Sequence, residues 1–142
     1  MLTIGTTIEG LTPLIVNRFH EEEIDSSFRS RKEKPSPEED AINRLYQNEH
    51  GPYLPAENIR QSVIEAAKRF KIGRRAATTD VAAAVYILPF ALTLVGDWHV
   101  DSRAVVIPAT GGRIMRHRPM FDEWHIGFQV QIDTDLVDER LM

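Results

Sequence analysis

From Leu2 to Glu9 the chain alternates, with Leu2, Ile4, Thr6 and Ile8 on one parity and Thr3, Gly5, Thr7 and Glu9 on the other. A period of two in β-branched and apolar residues predicts a strand, ended by Gly10. Beyond Thr12–Asn17 the apolar spacing is lost and charge dominates, which predicts a long charged loop at about 18–36. Ser36-Pro37-Glu38-Glu39 carries a capping serine, a proline for the first turn and a glutamate three residues on, so a short helix is expected to about Gln47. Gly51-Pro52 then punctuates the chain. From Pro55, Ile59, Val63, Ala66, Ala67 and Phe70 recur at helical spacing, while Glu57, Arg60, Gln61, Glu65 and Lys68 face away. Gly73 is the expected cap of this helix.

The apolar run Val81–Gly96, broken by Pro89, predicts a short helix or turn and then two strand segments. Ala104–Ile107 reads as a short strand and Gly111-Gly112 as a tight turn. From Trp124 to Ile132 apolar and polar residues alternate again, which predicts a long strand, and Asp133 onward begins like a helix with Leu136, Val137 and Leu141 as its apolar positions.

At 142 residues the chain is read as one domain, long enough to bury roughly two-thirds of its unfolded surface without a disulfide or structural metal. Zero cysteines exclude thiol nucleophiles, iron–sulfur clusters, zinc ribbons and disulfide scaffolds. The apolar runs are too short for a membrane span and the first ten residues do not resemble a signal peptide, so the sequence-based expectation is a cytoplasmic protein with no membrane partner. The formal charge is only −4, yet it is unevenly spread. From Lys68 to Arg118 there are nine basic residues against three acidic ones, and the rest of the chain is strongly acidic. That segregation suits a site for an anionic polymer.

Two clusters carry it. Arg113, Arg116, His117 and Arg118 follow Gly111-Gly112 and precede Phe121 and Trp124. Guanidinium groups pair with phosphates in bidentate geometry, and neighbouring aromatics can stack on unpaired bases. Lys68, Arg69, Lys71, Arg74 and Arg75 lie at and beyond the end of the main helix, where cations also offset the negative end of the helix dipole. The five histidines, His20, His50, His99, His117 and His125, are the available general bases at neutral pH, and none has a metal-ligand spacing. His20, beside Arg18, is the weak catalytic candidate. Glu21, Glu22 and Glu23 read as a solvated run, and no nucleophile elbow, P-loop or dinucleotide fingerprint is present. No metal or cofactor is expected.

The order of these segments resembles the RAMP superfamily, in particular small phage-encoded and prophage-encoded relatives of the backbone subunits of CRISPR effector complexes. The resembling segments are TPLIVNRF (Thr12–Phe19), YLPAENIRQSVIEAAK (Tyr53–Lys68) and VDSRAVVIPATGGRIMRHRPMFDEWHIGFQVQID (Val100–Asp133). The resemblance implies an α+β, ferredoxin-like or RRM-like antiparallel sheet with helices on one face, an inserted arginine-rich hairpin, and binding of single-stranded RNA. It implies RNA-binding roles for Arg60, for Lys68 to Arg75, and for Arg113, Arg116 and Arg118. The sequence departs from the family in having no glycine-rich loop near its C-terminus, and is expected to lack the last helix and strand. Another chain, a second copy or a different subunit, is then expected to complete the sheet.

The expected function is a non-catalytic nucleic-acid-binding subunit of a ribonucleoprotein, in a bacterial host cell if phage-encoded. The alternatives are a metal-independent ribonuclease of the same superfamily using His20, and a phage assembly or protein-interaction factor.

Overall fold

The N-terminal alternation forms a strand of eight residues, and the computed structural model describes residues 1–19 and 35–137. In chain order the elements are β1 (Leu2–Glu9), β2 (Leu14–Ile15), α1 (Pro37–Asn43), β3 (Gln47–Asn48), β4 (Gly51–Pro55), α2 (Ala56–Ala67), β5 (Lys71–Ile72), β6 (Arg75–Ala76), α3 (Thr78–Ala84), β7 (Val85–Leu88), β8 (Ala91–Val95), β9 (Trp98–Val106), β10 (Arg113–Phe121) and β11 (His125–Ile132). The class is α+β, mostly antiparallel, with three helices among the described residues. The chain divides into two compact units, each taken in turn.

The first unit comprises Met1–Glu9, Tyr53–Leu94 and the chain from His125. Its strands run β1–β11–β8–β4, with β7 also pairing β11. β1 and β11 are antiparallel from Leu2↔Ile132 to Glu9↔His125, so the even-numbered residues of both share one face. Ile126 and Phe128 are buried on that face, and Leu54, Leu92, Leu94 and Ile87 join them in the core. Leu2 and Ile4 remain 40% and 44% exposed, and the outer edge of β1 pairs with no described strand.

Helix α2 differs from its sequence reading. It ends at Ala67, with Lys68 as its cap, and Gly73 lies instead in the two-residue turn between β5 and β6. Its φ of +64° is a left-handed conformation that glycine adopts without a Cβ penalty. Of the apolar stripe only Ala67 is buried; Val63 and Phe70 are exposed, because the burying face shifts toward Ala56 and the half-buried Ile59 and Ile64.

The second unit comprises Gly10–Pro52 and Val95–Trp124. Its sheet is β2–β10–β9, with α1 packed on β10. The expected capping box is present: Ser36 Oγ accepts from the Glu39 amide at 3.2 Å and the Ser36 amide donates to the Glu39 carboxylate at 2.9 Å. α1 stops at Asn43, short of Gln47, and Gln47–Asn48 pairs with Gly51–Pro52 as a small hairpin. Val16, Ala41, Leu45, Pro119 and Phe121 form the core, Phe121 with no exposed surface.

A buried polar strut crosses this core. Arg44, only 4% exposed, donates from Nε to Asp40 Oδ1 at 3.0 Å and from Nη1 to Asn17 Oδ1 at 3.1 Å. Asp40 Oδ2 also accepts from the His117 amide at 3.2 Å, tying α1 to the middle of β10. At the far end, the Gly10 amide donates to the Trp124 carbonyl at 2.9 Å and Trp124 Nε1 donates to the Thr12 carbonyl at 3.0 Å. A Cβ at Gly10 would overlap the indole, so the close approach requires glycine.

Four further expectations change. The short strand at Ala104–Ile107 is part of a nine-residue strand beginning at Trp98, because WHVDSRAVV carries polar residues on both faces and lacks the alternation that marks a half-buried strand. The Gly111-Gly112 turn is a longer loop from Ile107, closed by donation from the Ile107 amide to the Gly112 carbonyl at 2.8 Å. The strand expected from Trp124 begins at His125, and Asp133–Leu136 forms a turn rather than the start of a helix. His20, Glu21, Glu22, Glu23 and most of the charged loop lie outside the described residues, as do residues 138–142.

Candidate nucleic-acid interface

The arginine hairpin is β9 and β10, paired antiparallel over nine positions from Arg113↔Val106 to Phe121↔Trp98. Directly opposed residues share a face. One face carries Arg113, Met115, His117, Pro119 and Phe121 of β10, opposite Val106, Ala104, Ser102, Val100 and Trp98. This face runs into the core, since Pro119 and Phe121 are buried. The other face sets Ile114 against Val105, Arg116 against Arg103, Arg118 against Asp101 and Met120 against His99.

On that second face two arginines oppose each other directly, an arrangement that disfavours the hairpin through like-charge repulsion. A nearby carboxylate pairs with Arg103. Asp101 accepts from Arg103 Nε at 2.8 Å rather than from Arg118, its direct opposite. Arg118 Nε is buried without a hydrogen-bond partner. A buried unsatisfied guanidinium nitrogen costs on the order of 1–3 kcal/mol. Arg103 was not among the residues singled out from sequence. Its membership is a matter of register, which places it across from Arg116.

His117 sits on the opposite face from these arginines. Its Nδ1 lies 2.7 Å from Ser102 Oγ, directly across the hairpin. Among the described residues no carboxylate holds the other ring nitrogen, so the pair lacks the third group that orients a catalytic base. The aromatic residues beside the arginines are not available to stack on bases as the sequence reading had them: Phe121 is core, and Trp124 is engaged with Gly10 and Thr12.

The second basic cluster lies in the first unit. Lys68 is paired with Glu65, whose carboxyl is held below its ordinary value chiefly by that hydrogen bond. Arg75 donates to Asp80 Oδ1 at 2.7 Å. Among the described residues Arg69, Lys71, Arg74 and Arg113 take part in no ion pair. Arg60, expected to contact RNA, is committed to the fold: Nε donates to the Val85 carbonyl at 3.2 Å, Nη2 to the Ala82 carbonyl and Nη1 to Glu57 at 3.1 Å. It thereby satisfies carbonyls that the end of α3 leaves without helical partners.

The described residues offer little for other chemistry. They hold no group of three or more His, Asp or Glu side chains placed to bind a metal, and no helix long and apolar enough to cross a membrane. An open apolar depression of about 650 Å³, lined by Leu88, Pro89, Phe90, Gly127, Phe128 and Gln129, contains no titratable side chain. Compared with models of known families, with curated proteins and with solved structures, the chain matches none.

Proposed function

We propose that the protein binds single-stranded nucleic acid, RNA in preference, as a non-catalytic subunit of a ribonucleoprotein assembly. The observation that carries this reading is the hairpin face on which Arg103 and Arg116 stand directly opposite each other, with Arg118 on the same face. Phosphate oxygens beside Arg103 and Arg116 would relieve the like-charge repulsion while accepting charge-assisted hydrogen bonds.

The RAMP relationship, the cytoplasmic location and the ferredoxin-like description belong to the same proposal. An antiparallel sheet with α2 packed on β7 supports the last of these. The likeness is one of architecture rather than connectivity, because α2 and α3 follow one another between β4 and β7 where a βαββαβ order has a single helix.

The partner that completes the sheet is a second copy of this chain, pairing β1 with β1 about a two-fold axis at Gly5. Leu2–Ile8 carries no charge and no proline, the devices that usually protect an edge. Antiparallel pairing about Gly5 sets Leu2 opposite Ile8 and Ile4 opposite Thr6, so the apolar faces coincide. Light scattering on the eluting protein is expected to give a dimer mass, and Ile4→Lys a monomer with unchanged circular dichroism. A parent protein that stays monomeric at high concentration would contradict the pairing.

The function itself is tested by fluorescence anisotropy with labelled single-stranded RNA, single-stranded DNA and duplex DNA. Binding is expected to be tightest for single-stranded RNA and weakest for the duplex. Absence of binding to all three at low salt would overturn the reading and favour a protein partner for the basic face.

A further inference from the structure

We infer that Phe70 is a base-stacking site in the first unit, a reading that rests on the nucleic-acid proposal above and names a contact it does not supply. The sequence places Phe70 on the buried stripe of α2, yet the ring is 60% exposed. The backbone there is nonetheless held. The Ala77 amide donates to the Phe70 carbonyl at 3.0 Å, which extends the β5–β6 ladder by one pair, and Ala77 is 1% exposed. Phe70 therefore stands opposite Ala77, Lys71 opposite Ala76 and Ile72 opposite Arg75.

By the same alternation Phe70, Ile72 and Arg75 share one face of this hairpin. Arg75 is the diagonal neighbour of Phe70, about 7–8 Å away between backbones, within reach of a planar group resting on the ring. Its guanidinium is steadied by Asp80 at 2.7 Å. Phe70 is flanked in sequence by Arg69 and Lys71, and Arg74 follows in the turn, none of the three in an ion pair among the described residues. An exposed aromatic ring on an anchored hairpin, Arg75 on the same face, and Arg69, Arg74 and, on the opposite face, Lys71 along the same short segment are the components of a single-strand platform. The ring takes a base and the cations take the flanking phosphates. An acidic peptide would engage the cations and leave the ring unused.

The test compares two labelled oligomers of about 12 units, an oligouridylate and an abasic ribose-phosphate strand of the same length. The parent is expected to bind the base-bearing strand about tenfold more tightly than the abasic one. Phe70→Ala is expected to abolish that preference while leaving affinity for the abasic strand unchanged, and Phe70→Trp to restore it. A Phe70→Ala protein that prefers the base-bearing strand as the parent does would overturn the stacking site. So would a parent that binds the two strands equally, with the phosphate reading left standing. A parent that binds neither strand overturns both.

Discussion

Asp40→Ala is expected to destabilise the protein by about 3–5 kcal/mol, read as a large fall in the urea midpoint. The side chain removed is the partner of a guanidinium that is 4% exposed. Without it the buried guanidinium of Arg44 loses a close carboxylate and the His117 amide loses its acceptor. Removing one partner of a buried ion pair costs far more than a surface pair contributes. Against a total stability of roughly 5–15 kcal/mol for a domain, the loss brings the second unit close to unfolding. Asp40→Asn retains oxygen and shape and is expected to cost clearly less, which separates the charge from the packing. An Asp40→Ala protein as stable as the parent would show that the strut does not hold α1 to β10.

Replacing Arg103, Arg116 and Arg118 together by glutamine is expected to weaken single-stranded RNA binding about 100-fold, taking roughly 1 kcal/mol for each phosphate contact. The slope of log affinity against log salt should flatten by about 2, since each phosphate contact to a single strand contributes about 0.7. Arg103 is 59% exposed at its side chain, and two of the three groups oppose each other as like charges. The variant should therefore keep the parent's circular dichroism. If affinity and salt slope were both unchanged while the fold stayed intact, the hairpin face would not be where RNA binds.

These two predictions draw on features that were unequally visible in the sequence. β11 was readable because it buries one face, and β1 because its apolar residues keep to the parity that its pairing with β11 puts on that face, each a period of two. The capping box at Ser36–Glu39 was readable because its two hydrogen bonds are local. β9 was not, since its polar residues fall on both faces and periodicity has nothing to register. The basic character of the hairpin was plain from composition, but the role of Arg103 depends on a pairing register across the loop, and no spacing in one strand reveals it. The same holds for the distant parts of the strut: Asp40 and Arg44 are four residues apart, but Asn17 and the His117 amide join them from far along the chain. Arg60 and Phe70 exchanged roles for a related reason. The cation on the outward face of α2 found helix-end carbonyls, and the apolar residue one turn beyond the helix found solvent.

The measurement that bears most directly on the hairpin as an RNA site is amide chemical-shift mapping of the isotope-labelled protein titrated with a single-stranded oligoribonucleotide. The largest changes are expected at the amides of residues 101–105 and 114–118, the stretches that carry Arg103, Arg116 and Arg118. Saturating RNA that leaves those amides unmoved, or that perturbs only residues away from the hairpin, would contradict it.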